Sequence, residues 1–347
     1  MFKEKIIIVS NTAWSIFNFR LGIARSLKYN GYEVVLIAPF DEYTQRVEKE
    51  FEYHDIYINN KGTNPKEDIK TTIEFYKLYK KIKPDIVLHY TIKPNIYGTI
   101  ACNLLEIKTV NNIAGLGTLF IEQNFVTKIA KFLYKYSQSK ANKIFFQNSD
   151  DYEIFTREGL VEKSKCSVLP GSGVDTSKFV PIEYTKEDDN KFIFLLIARM
   201  LWDKGVGEYV EATNIIKAKY PHVEFQLLGF LDVINKSAIS KEQMQEWVDE
   251  GLVNYLGVSD YVKEEIAKAD CIVLPSFYRE GTPRALLESA SMAKPIITTD
   301  NVGCRDVVDD GINGYLCEVR NAPDLADKME MMLNLSKDER KSMGESG

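Results

Sequence analysis

Two charged pairs in the later half of the sequence have the types and spacing to do chemistry. Arg199 and Lys204 lie in IARMLWDKG, and Glu280 and Glu288 lie in REGTPRALLESA. The second pair sits in a stretch, Cys271 to Asp300, that reads strand, loop, helix, strand. Cys271–Pro275 is a short apolar run suited to a strand buried on both faces of a parallel sheet. Thr282 and Pro283 form a helix-start signal, Thr at the N-cap and Pro at the first helical position. Glu280 therefore precedes the unbonded N–H groups of a helix start, and Glu288 follows them more than one turn later. Such amides are an anion site. An acid on either side can hold a ligand with phosphate in its middle and hydroxyls at both ends, as in a nucleotide-sugar. Arg199 and Lys204 fall at the end of another apolar run. Two cations at a strand end can clamp a diphosphate and stabilise charge growing on a leaving phosphate. Taken singly, Glu-x7-Glu is also what a surface loop with a capping acid would show. The two clusters together favour the chemical reading.

The elements that must position these groups alternate along the chain. Lys5–Ser10 reads as a strand, Asn11–Asn18 as a polar and aromatic loop, and Phe19–Tyr29 as an amphipathic helix stopped by Asn30-Gly31. Strands follow at Tyr32–Pro39, Asp85–Leu88, Thr109–Ile113, Lys143–Gln147 and Cys166–Leu169. Helices fall at Glu67–Lys83, Tyr97–Leu105, Phe125–Ala141 and Tyr152–Glu158, with Gly115-Leu116-Gly117 as a tight loop. From Pro170 to about Asn190 the pattern breaks on Gly171, Gly173, Pro181 and a charged run, which marks a domain boundary. A second alternation runs through strands Phe192–Ile197, Glu224–Gly229, Val253–Leu256, Cys271–Pro275, Pro295–Thr298 and Asn313–Cys317. Its helices are Val206–Lys219, Lys241–Glu250, Val262–Lys268, the helix from Pro283, and a terminal one from Pro323–Leu333. The expectation is α/β, two Rossmann-like parallel-sheet domains facing across a cleft, residues 1–178 and 179–347. The first strand–helix turn lacks G-x-G-x-x-G, which argues against a dinucleotide there.

Composition narrows the class. The 347 residues are 45% apolar and 27% charged, suiting two globular domains. No run of about eighteen apolar residues occurs, so no membrane span is expected. MFKEKIIIVS enters a strand without signal-peptide anatomy. The five scattered cysteines show no C-x-x-C pair, in keeping with a reducing cytoplasm. His54, His89 and His222 are too isolated to build a zinc site. Asp188-Asp189 and Asp309-Asp310 read as solvated charge, so no metal is expected. Residues 1–180 hold 25 basic and 20 acidic side chains, the rest 19 and 30. A mildly basic first half on an acidic chain can orient it on an anionic surface and does not suggest nucleic acid.

Arg199-x4-Lys204-Gly205, followed by Glu280-Gly281-x6-Glu288, resembles the large retaining glycosyltransferase family 4 (group 1), over essentially the whole chain. ARMLWDKGVGEYVEA, LLGFLDVINKSAIS and YREGTPRALLESASMAKPI further resemble bacterial enzymes that add an N-acetylhexosamine to an undecaprenyl-diphosphate sugar. The resemblance implies the GT-B architecture, a UDP-sugar as substrate, no cofactor and no metal. It implies that Arg199 and Lys204 bind the donor diphosphate and that Glu288 takes the ribose hydroxyls. Glu280, with the backbone of Gly281 and Thr282 and the neighbouring Pro283 and Arg284, would hold the transferred sugar. The Gly257–Tyr261 turn, with Ser259, would border the uracil. Arg199, Lys204 and Glu280 are the residues expected to carry catalysis. Many family members place a His beside the donor sugar, where this chain has Asn111-Asn112-Ile113-Ala114-Gly115-Leu116-Gly117. No histidine is therefore assigned to catalysis, and His89 reads as structural. With retention, the departing phosphate oxygen can take the proton of the attacking hydroxyl, and the protein positions the reactants.

Acceptor contacts are expected in the first domain, at Asn11, Trp14, Ser15, Arg20 and Lys93. Asn124–Lys143 carries five lysines interleaved with Phe125, Phe132, Tyr134 and Tyr136. On a helix that pattern suits an anionic membrane surface, and it equally describes a core helix with a lysine-rich wet face. The expected protein is cytoplasmic and peripheral on the inner membrane face. It transfers N-acetylgalactosamine or N-acetylglucosamine from UDP to a lipid-diphosphate-linked sugar. A non-catalytic nucleotide-sugar-binding subunit and a UDP-sugar epimerase are the alternatives. The family also leads one to expect a last helix packed back on the first domain, here cut short at Gly347.

Overall fold

The apolar runs form two parallel sheets, each within its own unit. The computed structural model describes residues 4–59, 64–115, 125–182, 184, 191–231, 233, 235–279 and 281–347, with backbone only for Phe125 and Val126. The chain divides into two compact units, Met1–Ser172 and Gly173–Gly347.

In the first unit the strands are β1 (Lys5–Val9), β2 (Glu33–Ala38), β3 (Glu52–Asp55), β4 (Ile86–Tyr90), β5 (Lys108–Ile113), β6 (Lys143–Phe146) and β7 (Cys166–Val168). They lie in the order β3-β2-β1-β4-β5-β6-β7. The pairings between neighbouring strands in this sheet are all parallel among the described residues. The helices are α1 (Ala13–Phe19), α2 (Leu21–Tyr29), α3 (Thr44–Glu48), α4 (Pro65–Ile82), α5 (Thr99–Leu105), α6 (Phe125–Gln138) and α7 (Ser149–Arg157). Ile7, Val9, Val35 and Ile37 face Phe75 and Tyr79 of α4 in one core layer. Ile8, Leu36 and Ala38 pack with Ile16, Leu21 and Ala24 in the other. Burying both faces is what makes these strands read as unbroken apolar runs.

Three local readings change. Asn11–Asn18 is mostly helix: the Thr12 side chain accepts from Ser15 N–H as an N-cap, and the break falls at Arg20 (φ −125°, ψ −9°) between α1 and α2. β3 was not legible, because an edge strand reading EYHD buries too little to show an apolar pattern. The helix expected from Tyr97 begins earlier, as a π-helical turn over Pro94–Gly98 that runs into α5. Gly98 is needed there: a Cβ would stand 2.5 Å from His89 Nε2.

In the second unit the strands are β8 (Phe192–Ile197), β9 (Val223–Leu228), β10 (Asn254–Tyr255), β11 (Cys271–Leu274), β12 (Ile296–Thr299) and β13 (Gly314–Cys317), in the order β10-β9-β8-β11-β12-β13. The helices are α8 (Val206–Lys219), α9 (Lys241–Asp249), α10 (Val262–Lys268), α11 (Arg284–Ser291), α12 (Ala322–Asn334) and α13 (Lys337–Glu345). α13 is an added element, closed by a capping box between Ser336 and Glu339. Asp310 is exposed, as expected, and also braces a turn by accepting from Leu316 N–H at 2.8 Å.

Candidate active site

The strand order of the second unit places β8 beside β11 at its centre, where the direction of crossover reverses. Open parallel sheets bind ligands beyond the carboxyl ends of the strands at such a point. The loop after β8 carries Arg199 and Lys204, and the loop after β11 leads to α11. The two loops that sequence spacing had paired are therefore neighbours.

They are also stitched together. The Asp203 carbonyl accepts from the N–H groups of Phe277 (3.0 Å) and Tyr278 (2.8 Å) and from the Ser276 hydroxyl (3.3 Å). On its other side the Arg199–Gly205 loop is held by Ser237, which accepts from Trp202 N–H through its carbonyl (2.8 Å) and from Asp203 N–H through its hydroxyl (3.0 Å). Gly205 closes the loop at φ +75°, where a Cβ would lie 2.0 Å from the Pro275 carbonyl oxygen. Both the conformation and the close approach require glycine. Gly205→Ala is expected to cost about 2 kcal/mol or more of stability. Gly22, whose Cβ would meet nothing within 4 Å in α2, is the control. Thermal denaturation of the two alanine variants checks this, and equal midpoints would refute it.

Arg199 is exposed and has no ion pair among the described residues. Lys204 is half-buried, with its Nζ 4.9 Å from the centre of the Tyr278 ring. α11 starts one residue later than expected. Pro283, extended at ψ 122°, is the N-cap, and no side chain caps this end. The Pro283 carbonyl takes the N–H groups of Leu286 and Leu287 (3.1 and 3.3 Å). The end of α11 thus keeps its anion-attracting polarity.

Glu288 sits on the second turn of α11 with its side chain 13% exposed, and Oε1 accepts from Arg284 Nε at 2.6 Å. Burial pushes its carboxyl above the usual range, against the pull of Arg284 and Lys178. Oε2 has no hydrogen-bond partner among the described residues, leaving an acceptor for ligand hydroxyls. Ser259 is half-buried and its hydroxyl accepts from Tyr261 N–H (2.9 Å), bracing a turn whose Gly257 carbonyl accepts from Gly229 N–H (2.7 Å). Gly281 is buried and Thr282 half-buried. Glu280 lies outside the described residues, as do Leu116, Gly117, Asn124, Asp188 and Asp189.

In the first unit, β1 and β4 meet at the corresponding reversal of strand order. Asn11 follows β1. Ser15 is buried and its hydroxyl accepts from the Ser10 hydroxyl (3.0 Å). Arg20 is 5% exposed with its guanidinium 4.0 Å from the centre of the Tyr90 ring at the end of β4. The Trp14 backbone N–H donates to Asp41 Oδ2 (2.8 Å), and its ring packs edge-to-face with that of Phe19. Lys93 is held at 2.6 Å by Asp68, which also accepts from the Tyr97 hydroxyl (2.8 Å). A cation so engaged is a poorer phosphate partner than a solvated one.

His89 is wholly buried. Its Nδ1–H donates to Asn111 Oδ1 and its Nε2 accepts from the Tyr79 hydroxyl, both at 2.9 Å. Asn111 Nδ2 donates to Gln138, whose amide donates to the Asn95 carbonyl. These acceptors fix the tautomer. Asn111 of β5 is thus a structural partner of a core histidine.

On α6, Thr127, Ala130, Tyr134, Ser137 and Gln138 face inward, and Tyr134 meets Phe155 edge-on at 5.1 Å. Ile129, Phe132 and Tyr136 are exposed, Phe132 by 67%, beside exposed Lys128 and Lys135. Lys131 pairs with Glu158 at 2.7 Å. The segment is therefore a core helix whose outer face is aromatic and basic. No helix among the described residues is long and apolar enough to cross a membrane, and none of their His, Cys, Asp and Glu side chains cluster in threes suited to a metal ion.

What the sequence missed were the braces. Asp203, Tyr278 and Asn301 hold the loops through backbone groups, which no motif records. Their position just past strand ends was the available signal.

Comparison with known proteins agrees with this geometry. Residues 182–347 match the family model described as glycosyl transferases group 1, and residues 5–148 match the glycosyl transferase 4-like model. An undecaprenol-linked alpha-1,3-N-acetylgalactosaminyltransferase of Campylobacter jejuni, acting on an N,N'-diacetylbacillosaminyl-diphosphate, is 32% identical over 95% of this chain and 89% of its own. An Escherichia coli UDP-Gal:alpha-D-GlcNAc-diphosphoundecaprenol alpha-1,3-galactosyltransferase is 28% identical over 73% of this chain and 67% of its own. In fold, the chain is similar to a glycosyltransferase of Rickettsia africae, with TM-score 0.78 and 20% identity over 99% of this chain and 92% of that one. Anabaena HepE in complex with UDP and glucose gives TM-score 0.77 and 16% identity over 99% and 93%. The architecture is GT-B, as expected.

Proposed function

Because the chain belongs to the group 1 glycosyl transferases, we propose that it moves a hexosamine from UDP onto a lipid-diphosphate-linked sugar, with retention and without a metal. The observation that carries the reading is the stitched pair of loops at the centre of the second sheet. These loops carry Arg199 and Lys204 and lead to the start of α11, with the Glu288 carboxylate on its second turn, beyond the carboxyl ends of the central strands. In this reading Arg199 and Lys204 neutralise the diphosphate as the glycosidic bond breaks, the α11 amides hold its oxygens, and Glu288 Oε2 accepts from ribose hydroxyls. Glu280, beside Gly281, orients the sugar. Asn11, Ser15 and Arg20 serve the acceptor end in the first unit.

Mass spectrometry and anomeric NMR of products made from UDP-N-acetylgalactosamine or UDP-N-acetylglucosamine on a synthetic polyprenyl-diphosphate sugar test the proposal. The expected product has retained configuration and forms in EDTA. Isomerised donor without transfer would replace the reading by an epimerase. Crystals soaked with UDP in which the pyrophosphate lies away from Arg199, Lys204 and residues 281–285 would remove it.

The outer face of α6 supports a peripheral seat on an anionic membrane, aromatic side chains entering the interface and Lys128 and Lys135 meeting lipid phosphates. Lys131, engaged by Glu158, contributes little. Each interfacial lysine is worth about 1 kcal/mol, so reversing Lys128 and Lys135 to Glu should lower sedimentation with anionic liposomes by roughly thirtyfold or more. Unchanged partitioning would end this part of the proposal.

A further inference from the structure

The ammonium of Lys204 stands over a ring whose own backbone is tied down from another strand. Tyr278 presents its ring to Lys204 Nζ at 4.9 Å. Its N–H is held by the Asp203 carbonyl at 2.8 Å, and its carbonyl accepts from Asn301 Nδ2 at 3.1 Å. The same Asn301 amide reaches the Ser276 carbonyl at 3.3 Å, which also accepts from the Thr299 hydroxyl. Asn301 lies two residues beyond β12, and its own N–H closes a tight turn onto the Thr299 carbonyl at 2.7 Å, which directs the side chain back over the loop. A lysine has a long flexible stem. One that must meet charge developing on a phosphate gains from a fixed position. A ring face held at both of its backbone polar groups supplies one through cation–π attraction.

We propose that Asn301 and Tyr278 are positioning residues for Lys204: Asn301 fixes the backbone of Tyr278, and the Tyr278 ring fixes the ammonium over the donor diphosphate. Neither touches the reacting atoms. The inference rests on the donor-site reading above and deepens it. It separates these two residues from groups that merely keep the unit folded, because their effect must pass through Lys204.

The test is a double-mutant cycle on the full chain, read as kcat and donor KM with a UDP-hexosamine and a polyprenyl-diphosphate sugar. Asn301→Ala should lower kcat about tenfold, with donor KM and the thermal shift with UDP changing less than they do in Lys204→Ala. In a Lys204→Ala background the same change should cost less than about twofold, because the group it positions is gone. Tyr278→Leu should repeat the pattern without touching Asn301, so the test survives a poorly folding Asn301 variant. Tyr278→Phe, which keeps the ring, should recover most of the loss. An Asn301→Ala or Tyr278→Leu enzyme at wild-type kcat overturns the inference. So does a loss of equal size in the two backgrounds. Lys204→Ala with undiminished turnover is a different failure, removing the donor-site reading and this inference together.

Discussion

Lys204→Ala is expected to lower kcat by about a hundredfold or more with a UDP-hexosamine donor, the scale on which single groups that stabilise developing charge act. Arg199→Ala should follow on the same scale. The argument is electrostatic. Cleavage of the sugar–phosphate bond would leave negative charge on the diphosphate, and in the proposed reading the two cations meet it without reorganising. Lys204 is half-buried and Arg199 exposed, so truncating either removes little packing. The thermal midpoint without UDP should hardly move, while stabilisation by UDP should shrink. Undiminished turnover in both variants would defeat the mechanism. Loss of kcat together with loss of the wild-type melting transition would assign the cations to folding instead.

The second large effect is on stability and depends on acid. Burial lowers the His89 pKa from the ordinary 6.5 to about 4, against the opposing pull of Asn111. Its folded-state value lies below its unfolded one, so the unfolded chain takes up the proton first. The contribution is fully present above pH 6.5 and is lost as pH falls toward 4. A shift of this size corresponds to about 3 kcal/mol. The groups around the ring are Tyr79, Asn111, Thr99 and Phe75, none of which offers a carboxylate to compensate an imidazolium. Urea titrations of the first unit's transition should show stability falling across that interval. His89→Phe, destabilised at neutral pH by stranding Asn111 and Tyr79, should show a shallower slope. An equal slope in the two proteins would place the acid sensitivity elsewhere.

How much was legible follows from what each feature depends on. The buried strands of both sheets were readable because burial on both faces demands continuous apolar runs, as in Phe192–Ile197. The edge strand Glu52–Asp55 was not, since an edge imposes no such demand. The helix at Asn11–Asn18 hid behind its aromatic and polar composition and was decided by the Thr12 cap and by packing of Ile16 into the core. At the proposed donor site, residue type singled out Arg199, Lys204, Glu280 and Glu288, because charge chemistry needs particular side chains at strand ends and helix starts. Asp203 and Asn301 act through a carbonyl and an amide on backbone partners, and almost any polar residue past a strand end could have done the same.

The sequence alone determined the alternation of strand and helix, the place where that alternation restarts, and which charged residues stand in the loops at the strand ends. These are local properties, settled by hydrophobic period and by formal charge. Only the tertiary structure decided that Lys93 is engaged by Asp68 while Arg20 lies against Tyr90, that His89 is a core residue, and that α6 turns Phe132 outward and Tyr134 inward. Each of those outcomes depends on which distant group arrives opposite a side chain, and strand order, which no local pattern encodes, sets that.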